Sequence, residues 1–577
     1  MTVDYRRHAR TFAIAAWAMV VVAVAVRVGL YLRHRALWLD EAMLAMNVAD
    51  RSIGELFKPL DYNQSAPVGF LLVVKTATWI FGQTDWVLRA TPLVAGIAAA
   101  PLFLLAAQRA LRAPAQVVAA APPVFEEHAN TTTTHPEFIA PAGDDFVIAG
   151  AEDAAPVEQR SLAPAAPVET PLTGSATAKH EWPAVLYAMA LFAVSMPLVR
   201  YASEFKQYAF DLAASAAVLW LALRLWERPQ SITRAAAFAA AGAVLVWFSH
   251  PLLFVLAGVG IITAVRFAAA RDGRASGLLL VAGVVWVLSF GIGYLVSLRH
   301  YAGDAELTAW WQHAFLPFPP RSPADVKWFL WSFVSVFEHP LGLVLPGLGA
   351  LAFLVGCVCM GRTQPWILAL LLAPVIIALV ASAFRLYPFT ERFIIFLAPF
   401  LIIPTGAGMQ QVTQALWPRA RVAAVLLVVL VFLQPLLVLA NELGRPGDPG
   451  VRPALAKLAE TDEAVPVYVY HWAQFEARYY APIYGVDMDR FVIGATARKD
   501  WWHYRGELEE LRDRERVWFL FVDVPFFLGR NEEQYFLTVL EEFGQRTAEH
   551  HWPRARLYLY DLRSPAAAGQ PTETTTP

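Results

Sequence analysis

Residues 66–82 read APVGFLLVVKTATWIFG, and the fold turns on whether this segment crosses a membrane. The stretch begins beside Pro67, carries Lys75 in its middle and ends at Gly82. It is near the lower length limit for a spanning helix, about 17 residues. A lysine at the bilayer centre costs at least about 2.5–3.5 kcal/mol. Around it lie eleven clearer apolar blocks: 12–32, 87–108, 183–200, 210–226, 233–249, 251–268, 276–297, 341–360, 365–384, 392–409 and 421–440.

Charge decides the parity. If 66–82 lies along the surface, one side of the membrane receives the N-terminus, Arg109/Arg112, Arg224/Arg228/Arg234, Arg266/Arg271/Arg274, Arg362 and Arg419/Arg421. Those short stretches carry 14 basic and 3 acidic residues. Short basic loops stay inside. If 66–82 crossed, every later loop would invert and these clusters would face outward. The segment is therefore expected to be an interfacial amphipathic helix. The N-terminus is then inside and the C-terminal region outside.

Composition agrees. Of 577 residues, 57% are hydrophobic and 16% charged, where a soluble chain carries about a quarter charged. Many of the aromatics, which include 20 Trp, sit at block ends, as interfacial belts do. A net charge of −2 offers no basic field for nucleic acid. Cys357 and Cys359, two apart on a helix, point to different faces and do not suit a mutual disulfide. The block 12–32 follows Arg6, Arg7 and Arg10 and has no small-residue cleavage site after it, so it reads as a retained anchor.

The expected fold class is mostly α: a polytopic membrane helical bundle of about eleven spans, with an outer-face juxtamembrane helix and a C-terminal α/β soluble domain. Residues 1–440 form the transmembrane part. Residues 113–181, rich in Ala, Pro and Thr, read as a disordered inner-side loop. Residues 441–563 form the outer domain. Val467–Tyr470, Arg490–Ile493 and Val517–Val522 read as strands, and Gln474–Tyr480, Glu507–Arg514 and Glu532–Phe543 as helices. Residues 564–577 read as a disordered tail.

With this topology the unexplained polar groups gather on the outer side. Asp40-Glu41 follow the first span; Asp61 and Gln64 lie in the same loop, and Lys75 in the surface helix. Glu204, Lys206, Gln207 and Tyr208 occupy the next outer turn, and Ser249-His250-Pro251 the one after. Trp310, Trp311, His313 and Trp328 belong to a long aromatic loop. Arg385, Tyr387 and Arg392 stand at the last intramembrane turn. Ordinary interfacial anchoring places Lys, Arg, Trp and Tyr in this zone too. The chemical reading is that paired carboxylates supply a general base, and that Arg and Lys clamp a phosphate.

The order of these motifs resembles the GT-C superfamily of integral membrane glycosyltransferases, near the protein O-mannosyltransferase and aminoarabinose transferase branch (glycosyltransferase family 39-like). The resemblance covers roughly residues 10–440. It rests on Asp40-Glu41; on the Pro67-led helix ending in Phe81-Gly82 and followed by Leu88-Arg89; on Arg200-Tyr201 with Glu204-Phe205-Lys206-Gln207-Tyr208; on Ser249-His250-Pro251; and on Tyr387-Pro388-Phe389 ahead of Arg392. It implies transfer of a sugar from a polyprenyl-phosphate donor to a lipid, glycan or protein acceptor at the outer face of a bacterial inner membrane, with membrane lipids around it and no cofactor. It places the catalytic base on Asp40, with Glu41 beside it, and the phosphate on Arg392 and Lys206, with His250 and Arg385 as further candidates. The chain departs from the pattern at Glu391, where many relatives have a small residue, and in the 113–181 insertion. The competing class is a transporter or flippase of lipid-linked or envelope precursors, which calls for midplane charges and an internal repeat. A third is an assembly or sensory protein whose outer domain binds a partner.

Overall fold

The computed structural model describes residues 5–112, 181–300, 309, 311–497, 500–524, 526–527 and 530–563. The expected loop at 113–181, apart from Glu181, the tail 564–577 and Trp310 lie outside the described residues.

Among the described residues, nine helices are long and apolar enough to cross a membrane. Each falls on one of the eleven expected blocks. They include α1 (Tyr5–Leu32), α4 (Asp85–Ala110), α7 (Tyr208–Glu227), α9 (Leu252–Ala269) and α10 (Gly273–Val296). The other two blocks form shorter helices. α5 (Glu181–Val194) stops before Pro197, whose ring cannot continue a helical hydrogen-bond ladder, and α6 (Met196–Arg200) resumes the path. α8 (Ile232–Leu245) gives way to a tighter coil, with Trp247 and Phe248 amides bonded to the Val244 and Leu245 carbonyls.

The segment that opened the question forms α3 (Val68–Phe81), which packs on α2 (Leu39–Asp50). At 14 residues it is about 21 Å long, too short for a 30 Å core. Lys75 Nζ donates to the carbonyls of Val48 and Ala49 at 2.6 and 3.2 Å. The ammonium thus caps the C-terminus of α2, where the helix dipole favours a cation. Phe70, Leu71 and Val74 are buried, while Trp79, Ile80 and Phe81 are exposed.

Two cores result. The larger joins the long helices. At its tightest crossing, a Cβ on Gly408 would stand 1.7 Å from the Ala352 carbonyl oxygen, so only glycine lets those backbones meet. The second core combines Ala36, Leu37, α2, α3 and Phe205 with the C-terminal sheet. That sheet has five strands in the order Phe491–Ile493, Val467–Val469, Arg516–Val522, Ala555–Asp561, Gln545–His551; the first two pairings are parallel and the last two antiparallel. Its first three strands and the helices Gln474–Tyr484 and Glu532–Phe543 coincide with expected elements. The helix expected at Glu507–Arg514 instead occupies Trp501–Glu510, followed by a short turn.

Polar contacts pin this layer to the bundle. Tyr480 Oη donates to Asp85 at 2.8 Å and accepts from the Leu37 amide at 2.8 Å. Arg452 pairs with the same Asp85 carboxylate. The loop after α1, helices α2 and α3, and the C-terminal sheet therefore share one end of the molecule.

Candidate active site

Asp40 and Glu41 occupy the first turn of α2, where the helix N-terminus favours acids. Adjacent residues on a helix point about 100° apart, so the two carboxylates face different surroundings. Glu41 turns inward and is fully buried. Arg89 donates to it through Nε at 2.9 Å and through Nη2, and the Phe205 amide donates to the same carboxylate. Arg89 also donates to the Arg35 and Ala36 carbonyls. Burial pushes the Glu41 carboxyl up, but the charge and hydrogen bonds of Arg89, with Arg35 and the Phe205 amide, more than reverse this and hold it below the usual range.

Asp40 turns to the rim. Its Oδ2 lies 2.9 Å from Arg392 Nη1, with the two side chains 21% and 20% exposed. Arg392 belongs to the tight coil Glu391–Leu397 and sits 5.7 Å from the ring centres of both Trp311 and Phe393. Glu391 is exposed, and among the described residues no ion pair joins it to Arg392. Lys206 is buried, and its Nζ donates to Gln64 Oε1 at 2.8 Å. Burial lowers its pKa; the nearby Asp40 charge opposes that and Arg392 adds to it. Tyr201 and Tyr208 meet edge-to-face at 5.0 Å. Burial, then the Glu204 charge, pushes the Tyr201 phenol up to about 12. The Tyr387 phenol donates to the Phe393 carbonyl at 2.9 Å, which ties the last turn together.

Other expected residues stand elsewhere. Asp61 is exposed and pairs with Arg51 at 2.9 Å. Lys75 caps α2. Glu204 is buried against Arg200 at 2.7 Å, with Arg35 at 3.9 Å, so its charge is taken up by these two arginines. Gln207 presents a buried side-chain oxygen without a hydrogen bond among the described residues. Arg385 is exposed in a turn with φ +57°. His250 lines a small cavity with Val68, Trp247 and Phe290. Burial pushes its imidazole down to about 4, so at neutral pH it is uncharged and supplies no cation to a phosphate.

Sequence reasoning gave no role to Arg35 or Arg27, and quoted Arg89 only as part of the family resemblance. Arg89 carried a signal: it starts the second clear span, at the same level as the acidic pair. Arg27 is fully buried within α1, donates to the Ala23 carbonyl at 2.8 Å and covers the Phe192 ring at 4.8 Å. Among the described residues no set of three or more His, Cys, Asp or Glu is placed to hold a metal ion. The arrangement is a rim carboxylate beside one arginine and one lysine, with a second carboxylate locked behind it.

Among solved structures, the chain is similar to ArnT from Cupriavidus metallidurans bound to undecaprenyl phosphate, at 14% identity and a TM-score of 0.49, over 96% of this chain and 99% of that one. The apo state of the same protein aligns at 14% identity and a TM-score of 0.48, over 95% and 98% of the two chains. The Archaeoglobus fulgidus oligosaccharyltransferase in complex with Zn and sulfate aligns at 12% identity and a TM-score of 0.44, over 94% of this chain and 73% of that one. No protein-family model and no curated protein sequence matches the chain.

Proposed function

We propose that this chain is an inverting membrane glycosyltransferase of the GT-C kind. It would move a sugar from a polyprenyl-phosphate donor to an acceptor on the outer face of a bacterial inner membrane. The observation that carries this reading is the Asp40–Arg392 pair at 2.9 Å beside buried Lys206. The donor's phosphate would take Arg392 from Asp40 and hold it bidentately, with Lys206 as a point charge. Asp40, released from its partner, then accepts the proton of an acceptor hydroxyl as that oxygen attacks the anomeric carbon. The bond from that carbon to the phosphate oxygen breaks, the lipid phosphate leaves with the electron pair, and one displacement inverts the centre. The two cations stabilise the charge that develops on the leaving oxygen. Glu41 has no route to substrate in this scheme; with Arg89 it orients α2. Residues 1–440 would form the catalytic membrane domain, and residues 441–563 an outer domain that flanks the acceptor side.

The test is Asp40→Asn in the full chain, with polyprenyl phosphate released from a lipid-linked sugar as the readout. A general base contributes about 10²–10⁴-fold, so turnover should fall by that factor while insertion and melting stay unchanged. Full activity in the variant would remove Asp40 from the mechanism. Arg27, a buried charge in a spanning helix, favours the transporter reading. Movement of a labelled lipid precursor across proteoliposomes without any transfer product would decide for it.

A further inference from the structure

A second charged cluster lies at the opposite end of the bundle. α4, α7 and α9 run away from the Asp40 end and finish near Arg109, Glu227 and Arg266. Between them and the turn Thr363–Ile367 is a cavity of about 450 Å³, within the range of about 300–1,000 Å³ found for ligand sites. Among the described residues its charges do not balance. Arg109, Arg112 and Arg234 all converge on Glu227, at 3.2, 3.4 and 3.0 Å. Arg266 has no carboxylate partner among the described residues and lies 4.2 Å over the Trp226 ring. That indole is itself fixed, because Nε1 donates to buried Thr263 at 3.1 Å. Three arginines of the lining, Arg109, Arg112 and Arg266, thus face one lining carboxylate, Glu227, against a wall that is already in place. Carbonyls at helix ends relieve part of the excess, since Arg109 also reaches the Leu105 oxygen at 3.2 Å. They do not neutralise the cavity.

We propose that this cavity binds the phosphate-bearing headgroup of an anionic membrane lipid. Arg112 and Arg266 contact the phosphate, and Leu223, Trp366 and Ile367 line the acyl side. The anion competes with Glu227 for Arg109 and Arg112. A lipid fits better than free phosphate because the lining is mixed: three arginines together with Leu223, Trp366 and Ile367. The site lies at the far end of the bundle from Asp40, Lys206 and Arg392 and takes no part in the proposed transfer, so it stands or falls independently of that function.

The experiment titrates the full chain in a non-ionic detergent with dioleoyl-phosphatidylglycerol, dioleoyl-phosphatidylcholine or inorganic phosphate, and counts bound lipid by native mass spectrometry. Phosphatidylglycerol should be retained in preference to phosphatidylcholine. Arg112→Gln and Arg266→Gln should each weaken retention about five-fold, which corresponds to about 1 kcal/mol per basic residue at an anionic lipid. Glu227→Gln should tighten it, because a competing carboxylate is gone; a purely structural cluster would loosen instead. Arg419→Gln, at the same end of the bundle but outside the cavity, should change nothing. Equal retention of the two lipids, an equal loss in Arg419→Gln, looser binding in Glu227→Gln, or displacement of phosphatidylglycerol by inorganic phosphate at matching concentration would each overturn the proposal.

Discussion

Arg392 and Asp40, 352 residues apart in sequence, form an ion pair at 2.9 Å on the rim of the candidate site. The pair joins the first loop of the chain to its last intramembrane turn. A guanidinium can exchange a carboxylate for a phosphate without losing its two-pronged geometry; a lysine cannot. Arg392→Lys should therefore lower kcat/KM by roughly 10- to 100-fold, the equivalent of one charged hydrogen bond of about 1.5–3 kcal/mol. An unchanged kcat/KM for the lipid-linked donor would show that Arg392 does not hold the phosphate.

Glu41 is predicted to act on stability. Removing one member of a buried ion pair leaves the other charged and unpaired, at a cost of about 3–5 kcal/mol. Glu41→Gln should lose about that much in thermal or denaturant unfolding. The double variant Glu41→Leu/Arg89→Met should recover part of it, since neither charge then remains buried. If Glu41→Gln melts with the parent but is inactive, Glu41 takes part in the chemistry after all.

Lys206 should set the alkaline limb of activity. Burial depresses its folded pKa below the ordinary lysine value. The folded chain therefore sheds this proton at a lower pH than the unfolded one. Its charge destabilises the fold, so the contribution of this group to stability rises with pH between the lowered folded value and about 10.4. Phosphate binding moves the other way, because the cation is lost over the same interval. Donor KM should rise on the alkaline side, and Lys206→Arg should shift that limb upward. A pH profile of KM identical in the two proteins would refute the assignment.

Glu476 makes a pH prediction for the outer layer. Burial, with the nearby Asp523 and Asp448 charges adding to it and Arg554 opposing, raises its carboxyl to about 8. From about 4.5 to 8 the folded form holds a proton that the unfolded chain has released, so stability should fall as pH rises through that window. Melting temperatures measured from pH 5 to 9 should show this slope, and Glu476→Gln should flatten it. An equal slope in both would mean that another group titrates.

The orientation has its own check. In a chain with Cys357 and Cys359 replaced by serine, Trp502→Cys should react with a membrane-impermeant maleimide added to intact cells, and Arg228→Cys only after lysis. Trp502 is 78% exposed on the C-terminal layer, and Arg228 lies at the far end of α7. The reverse pattern would invert the topology.

The membrane helices were legible because each is a long apolar run, and that signal does not depend on what packs against it. Residues 66–82 yielded to charge counting rather than to hydropathy, but the partners of Lys75 were hidden: they are two backbone carbonyls, which have no side-chain signature. As neighbouring acids Asp40 and Glu41 were told apart in sequence only by the family resemblance, which put the base on Asp40. Only the way α2 rests on Arg89 sends one to the rim and the other into the interior. His250 looked like a cation in sequence, and burial makes it neutral. The hairpin Gln545–His551 and Ala555–Asp561 went unread, although the second strand carries the apolar run Leu557–Tyr560; the first is a polar edge strand with exposed ends. Glu227 looked like one acid among basic residues. That it gathers three arginines is a property of where three helices end.

The second core has a consequence for the order of events during synthesis. Helix α2, which carries Asp40, is covered by side chains from residues 451–562. In the order of synthesis the helix precedes its cover. A nascent chain with every spanning helix inserted still leaves one face of α2 bare to water. On the proposed reading, a fixed position for Asp40 would then depend on the final strands, and a chain interrupted before them would give a bundle in which α2 lacks that support.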